Sequence, residues 1–325
     1  MGGSGKLKAT TLGADFREVN RTRRISAVWL AVFALVTGIA VPAIAADEPE
    51  VVIEGGGWGH GIGMSQYGAL GQALEGKTAE EIVGYYYSGS STAQIVDQVG
   101  QEHFTVTDPT PLWVGMLTNR SRVRFAAVDG SLTACHSGSG GCAYQVSPGE
   151  SWSFVTRGDG SCQFTKDDEP VSAAGSCQAQ VRGMSPGGAH LLLPALETGR
   201  DEFARGKLMI RTPDQGAKVH AALQINLEEY LYGLAEVPFS WHNEALRAQA
   251  LAGRSYATWR LISRGPAEDF AESRKATCWC HMYATTSDQS YSGWANEAAA
   301  GAANWQSAVD STAGTVVTHP DASQA

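Results

Sequence analysis

Between Asn226 and Leu261 the chain reads NLEEYLYGLAEVPFSWHNEALRAQALAGRSYATWRL, a pattern that admits little besides helix, short apolar loop and helix. Asn226 with Glu229 three residues on is an N-cap and its partner, so a helix is predicted to begin there. Gly233 weakens that helix and Pro238 ends it, leaving Ala235 to Trp241 as the connector. A second helix is predicted from about Asn243, because Leu246, Ala250, Gly253, Ala257 and Leu261 recur at helical spacing as a buried stripe. Small residues dominate that stripe, so a neighbouring element can pack closely. One carboxylate, Glu236, stands at the joint among Ala235, Val237, Pro238, Phe239 and Trp241. An apolar setting disfavours the ionised form and raises the pKa toward that of a general acid, although an isolated loop glutamate is more often a surface residue.

A second unusual stretch lies upstream. The short strand Val51-Val-Ile runs into EGGGWGHGIGMSQYGA, with six glycines in the ten residues from Gly55 to Met64. Such a backbone can take positive φ and approach another surface closely. It lacks the Lys-Ser/Thr pair of a phosphate-binding loop and the spacing of a dinucleotide fingerprint. A helix is predicted from about Ser65 to Glu75, ending at Gly76. Thr78 with Glu81 makes a capping box for another, reaching the run Tyr85-Tyr86-Tyr87.

The start of the chain resembles an export signal: Arg21, Arg23 and Arg24, an apolar run from Ile25 to Val41, Pro42, and a small-residue Ala43-Ile44-Ala45 triplet. The run is also near the length that spans a bilayer, so an uncleaved anchor is the alternative, and the only membrane contact expected. The 325 residues carry a formal charge of −9, which falls to −13 without residues 1–45 and their six basic and two acidic side chains. Such a surface argues against a nucleic-acid partner. All six cysteines lie beyond the signal, as expected for an oxidising compartment. The expected location is extracellular or wall-associated.

Residues 103–225 change character. Segments beginning at Leu112, Arg122, Trp152, Leu208 and Lys218 are strand-like, and Val219, Ala221, Leu223 and Ile225 alternate at period two. Asp129-Gly130, Asp159-Gly160 and Pro213-Asp-Gln-Gly216 are turn signals. Cys135, Cys142, Cys162 and Cys177 fall inside this stretch. Neighbour pairing is the simplest arrangement, but four cysteines allow three connectivities. Beyond Leu261 follow Cys278-Trp-Cys-His281, a helix-like Ala295 to Val309 and a strand-like Thr315-Val-Val-Thr. The fold expected is α+β, a helical core with an inserted β-rich subdomain. Its divisions are 1–45 (signal), 46–102 (glycine-rich and helical), 103–225 (β-rich, with disulfides) and 226–325 (helical).

Tyr230-Leu-Tyr-Gly, Glu236-Val-Pro, Ser240-Trp241 and Glu244-Ala-Leu-Arg-Ala-Gln-Ala-Leu-Ala-Gly-Arg-Ser-Tyr-Ala together resemble the SpoIID/LytB family. Gly-Trp-Gly-His60-Gly-Ile-Gly-Met-Ser-Gln66-Tyr-Gly-Ala with the later Tyr-Tyr-x-Ser-Gly resembles its second hallmark. Thr285-Thr286, Asp288-Gln289 and Tyr291 are similar to its next segment. In the commonest family arrangement the histidine–glycine block follows the glutamate block; here it precedes it, so the two would have to meet through a permuted connection. Members usually continue past the point where this chain stops, so a C-terminally shortened catalytic part is expected.

The resemblance implies a peptidoglycan lytic transglycosylase. Glu236 would serve as the single acid and base, cleaving after N-acetylmuramic acid to leave 1,6-anhydro ends. It places Arg254, Gln249, His60, Gln66, Trp241 and Tyr256 on the substrate, here glycan strands of peptidoglycan. The other function that the family's name carries is a non-catalytic, wall-binding enhancer of an amidase partner. No cofactor is required for the chemistry. Some members carry zinc on cysteine and histidine in the comparable loop, which would make Cys278, Cys280 and His281 ligands near the Glu236 cleft. The alternative in an exported protein is a disulfide.

Overall fold

Ser65 ends the glycine-rich approach and starts the first helix, α1 (Gln66–Leu74), by accepting the Gly68 N–H at 3.1 Å; Gly76, at φ 86°, follows its last turn. The computed structural model describes residues 63–136, 144–196, 199–213 and 217–321. The expected signal, His60 and the turn at 214–216 lie outside the described residues. Thr78 and Glu81 form the predicted capping box of α2 (Ala79–Tyr86), exchanging bonds of 2.9 and 3.2 Å. The strand β1 (Ser91–Gln94) and the short helices α3 (Ile95–Val99) and α4 (Phe104–Thr107) lead into the β-rich part.

Strands β2 (Leu112–Arg120) and β3 (Arg122–Val128) are separated by one residue yet join different sheets, the chain turning at Asn119, φ 55°. Beside β3, the first sheet runs in the order β11 (Glu202–Phe203), β10 (His190–Leu192), β3, β6 (Trp152–Thr156), β7 (Cys162–Lys166) and β8 (Glu169–Pro170), antiparallel throughout. The second sheet runs β14 (Met282–Tyr283), β2, β13 (Val219–Ile225), β12 (Lys207–Arg211), β9 (Ala179–Arg182), β4 (Leu132–His136) and β5 (Tyr144–Val146), with β14 parallel to β2. Side chains of a strand alternate between faces, and β13 is buried on both. Val219, Ala221, Leu223 and Ile225 enter the main core, while Ala222 enters a second cluster with Trp113, Met209 and Phe270.

The helical part follows β13 directly as α5 (Leu227–Tyr232) and α6 (Asn243–Arg264), then α7 (Glu272–Thr277), α8 (Trp294–Glu297), α9 (Ala302–Ser311) and β15 (Thr315–Thr318). The single helix expected at 295–309 is two, because Gly301 at φ 82° resets the chain direction. The boundary at residue 225 marks a change of composition and not a break in packing. Phe125, Phe154 and Phe164 of the first sheet share one core with Leu223 of the second, and with Leu231, Leu246 and Trp305 of the helices. The predicted stripe of α6 is buried in full.

α6 is covered on further faces too. Ala69 and Ala73 of α1 and Ile82 and Val83 of α2 close on Ala245, Ala248 and Leu251. The described end of the glycine-rich block therefore packs on the helix bearing Gln249 and Arg254, as the permuted motif order requires. Glu244 fixes this junction: its carboxylate accepts the buried Ala79 N–H at 2.8 Å and two bonds from Arg247 at 2.9 Å. Glu244→Ala leaves that N–H without a partner and should lower unfolding free energy by about 1–3 kcal/mol in denaturant titration. A loss within a few tenths of a kcal/mol would reduce Glu244 to a helix-terminus charge.

Candidate active site around Glu236

The loop after α5 is shaped by what closes over it. Asn226 caps α5 through its side chain, accepting from Glu228 and Glu229 N–H at 2.8 and 3.4 Å. The Glu229 carboxylate does not complete the predicted pair; it meets Arg205 at 3.3 Å. The helix stops at Gly233, where an added Cβ would lie 2.4 Å from the Tyr291 ring and 3.0 Å from Gly293 Cα. That close approach lets residues 233–235 bond to 290–292: Ala235 N–H to Ser290 O at 2.9 Å, and Ser292 N–H to Gly233 O at 2.8 Å. The Asn296 amide donates to Tyr232 O and Leu234 O at 3.1 and 2.5 Å, and Asn304 donates to Phe239 O at 3.1 Å.

Glu236 emerges from this clamp. Gln249 Nε2 donates to its Oε2 at 2.8 Å and the Ser290 N–H to its Oε1 at 3.3 Å. Burial raises its pKa above the ordinary glutamate value, and the two hydrogen bonds oppose that rise. The surrounding acids are treated differently. Glu228 pairs with Arg254 at 2.7 Å, Glu244 with Arg247 at 2.9 Å, Asp288 with Arg260 at 2.6 Å and Glu297 with Arg205 at 2.7 Å. Among the described residues, Glu236 has only uncharged donors. Beneath it the buried Tyr230 hydroxyl, held protonated chiefly by burial and further by the Glu236 charge, donates to Gln289 at 3.2 Å.

Of the residues expected on the substrate, Gln249 touches the carboxylate. Gln66 opens α1 and Trp241 closes the loop; both are partly exposed. Arg254 is elsewhere. It has no exposed surface, and Glu228, Thr312 Oγ1 and the carbonyls of Val309 and Thr315 take up its guanidinium at 2.7–3.2 Å. A cation enclosed in this way ties α6 to its neighbours and presents nothing to a sugar. The Tyr256 hydroxyl donates to Asp288 at 2.5 Å and accepts from Arg260 at 2.6 Å, while Asp288 accepts the Tyr283 N–H at 2.8 Å. Tyr256 thus braces the segment that delivers Ser290. Ser290 and Asn296 escaped the sequence reading because one acts through its main chain and the other on main-chain carbonyls.

Zinc does not fit Cys278, Cys280 and His281 as they stand. The two cysteines are joined in a disulfide, which removes both thiolates. His281 Nδ1 accepts the Trp113 N–H at 3.0 Å and Nε2 donates to Gly265 O at 2.9 Å. Burial first, then the charges of Arg264 and Arg274, depress its pKa to about 4, so the ring is neutral at pH 7. Both cysteines join Trp113 and Ala222 in a cluster on the opposite face of the second sheet from the main core. A second disulfide links Cys162 to Cys177, as neighbour pairing predicts. Cys135 is disulfide-bonded, and Cys142 lies outside the described residues.

A cleft of about 410 Å³ lies apart from Glu236, lined by Arg182, Met184, Arg205, Lys207 and Glu229 among others. None of Glu236, Gln249 or Ser290 borders it.

With this geometry in view, the comparisons with known proteins are specific but short. The SpoIID family model (Stage II sporulation protein) matches residues 215–319, the segment that holds Glu236, its clamp and α6. A stretch of 38 residues is 58% identical to Stage II sporulation protein D of Bacillus subtilis (strain 168), covering 12% of this chain and 11% of that protein. A stretch of 45 residues is 47% identical to the amidase enhancer of the same organism, covering 14% of this chain and 6% of that protein. The matches thus span only a small part of these relatives' length. No solved structure matches. Residues 215–319 of this chain are thus similar to the SpoIID family.

Two outcomes follow from the site's electrostatics. A buried carboxylate with a raised pKa makes the native state bind its proton more tightly than the unfolded chain does, so stability falls as pH rises above 4.5. Glu236→Gln should therefore melt higher than the unmutated protein at pH 7, the gap closing below pH 4.5; calorimetry across that range checks it. Incubation with a chelator should leave the melting temperature unchanged, whereas a reductant should lower it. Bound zinc found by elemental analysis of the oxidised protein would contradict this.

Proposed function

We propose that the chain is an exported peptidoglycan lytic transglycosylase with Glu236 as its single acid and base. The observation that supports this reading is the contrast between Glu236, buried against uncharged donors, and the arginine-paired acids around it. Ordinary glycoside hydrolysis requires two working carboxylates. A single one suffices if the sugar supplies its own nucleophile. Protonated Glu236 gives its proton to the glycosidic oxygen following N-acetylmuramic acid, and the bond from C1 to that oxygen breaks. The C6 hydroxyl of the same sugar bonds to C1, and the Glu236 carboxylate takes the hydroxyl proton. The 1,6-anhydro ring forms, the acid is restored, and proximity replaces an external nucleophile. Gln249 and the Ser290 N–H hold the carboxylate in place through both transfers.

The disulfides support an address outside the cytoplasm. The similarity to an amidase enhancer favours a second reading, a wall-binding protein that stimulates a partner amidase and needs no proton chemistry at position 236. Digestion of purified glycan separates the two. The unmutated protein should release fragments ending in 1,6-anhydro-muramic acid, detected by mass spectrometry. Glu236→Gln should cut at a rate lower by more than the roughly 10²- to 10⁴-fold usual for losing a general acid or base, since one residue serves both transfers. Full activity in Glu236→Gln, or reducing ends throughout the digest, would remove the transglycosylase reading.

A further inference from the structure

Tyr67, on the first turn of α1, is 77% exposed and lies against Trp241, with ring centroids 5.1 Å apart and planes at 59°. An aromatic ring left so open forgoes burial that its size would otherwise favour. Trp241 makes a firm base for it, because its other side packs against both the main core and the cluster between α1, α2 and α6. The polar groups here are equally available. Among the described residues, the Tyr67 hydroxyl, the Trp241 indole N–H and the Gln66 amide have no hydrogen-bond partner in the protein. Unpartnered donors and acceptors beside apolar ring faces match a pyranose, which has a C–H face and a rim of hydroxyl and amide groups. They suit a flat apolar protein surface poorly.

Position joins this pair to Glu236. Trp241 ends the same clamped loop and immediately precedes His242, the N-cap of α6. Gln249, which holds Glu236, lies seven residues further on, or about 10 Å along the helix axis. That separation suits a strand whose scissile bond sits at Glu236 and whose sugar a ring or two away rests on the aromatic pair.

We propose that Tyr67 and Trp241, with Gln66 beside them, form a sugar-stacking subsite that takes an N-acetylated pyranose of the glycan strand away from the point of cleavage. The proposal rests on the reading of the wall glycan as the substrate of this site. It gives the glycine-rich block a task in binding, since that block carries Tyr67 to α6.

The test measures binding without cleavage. In the Glu236→Gln background, co-sedimentation with purified insoluble peptidoglycan should show Tyr67→Ala weakening the apparent Kd roughly tenfold, the scale of one lost aromatic contact. Tyr67→Phe should keep most of the affinity, because the ring face remains. Tyr85→Ala removes another exposed ring, 68% exposed on α2, and should change nothing. The melting temperature of Tyr67→Ala should match its parent, which assigns any loss to binding. Undiminished binding by Tyr67→Ala, an equal loss in Tyr85→Ala, or no binding by the parent would overturn the subsite. If the unmutated chain cuts nothing while Tyr67→Ala still loses affinity, the transglycosylase reading fails and the subsite stands.

Discussion

A guanidinium with no exposed surface has to be satisfied entirely by protein, and Arg254 sets the frame of the helical part for that reason. Glu228 from α5, Val309 from α9, Thr312 just past its end, and Thr315 at the start of β15 converge on it. Glu228 also accepts the Gly314 N–H at 2.9 Å, so the ion pair holds the turn into β15. Removing one partner of such a pair would leave a buried charge uncompensated, typically at a cost of about 3–5 kcal/mol. Three segments distant in sequence thus have one arrangement around α6. β15 extends it, pairing with β1 from Ser91↔Thr318 to Gln94↔Thr315 and fastening the N-terminal helices to the same frame.

Within that frame charge is sorted. Glu228, Glu244, Asp288 and Glu297 each face an arginine, and each contributes to holding two elements together. Glu236 faces an amide side chain and a main-chain N–H, which orient a carboxylate without fixing it in the ionised state. A buried glutamate of raised pKa costs stability at neutral pH, and no cation among the described residues pairs with Glu236 to offset that. Local destabilisation of this kind is expected where proton transfer, and not packing, is what a residue supplies.

Much of this was legible because the signals were local. The caps at Asn226, Thr78 and Ser65, the stripe of α6 and the alternation of β13 each depend on neighbours within a few residues. Strands such as β4, which carries Cys135 and His136, and β9 were not, because their order comes from pairing across the sheet. The split of the last helix rests on the backbone angle of Gly301, which a run of alanines on either side conceals. At the site, the isolation of Glu236 was readable from its apolar neighbours. The enclosure of Arg254 was not: its partners lie 26 to 61 residues away, and a buried and an exposed arginine look alike in a helix pattern.

The segment from Gly63 to Tyr87 depends little on chain order for its own packing. Met64 N–H donates to the Tyr87 hydroxyl at 3.3 Å, and a Cβ on Gly68 would stand 1.8 Å from the Tyr86 hydroxyl. The tyrosines at the end of α2 therefore seat the start of α1, and Gly68 is the residue that leaves them room. Residues 63–74 and the tyrosine run behave as one local unit, whose outer face is the apolar patch that meets α6 and whose Ala79 N–H is taken up by Glu244. A unit that is closed within itself and attached through one face can be supplied from either end of a chain, provided the ends of the remaining fold lie near that face. The pairing of β1 with β15 meets this condition, because it brings the segment following the unit alongside the last described strand.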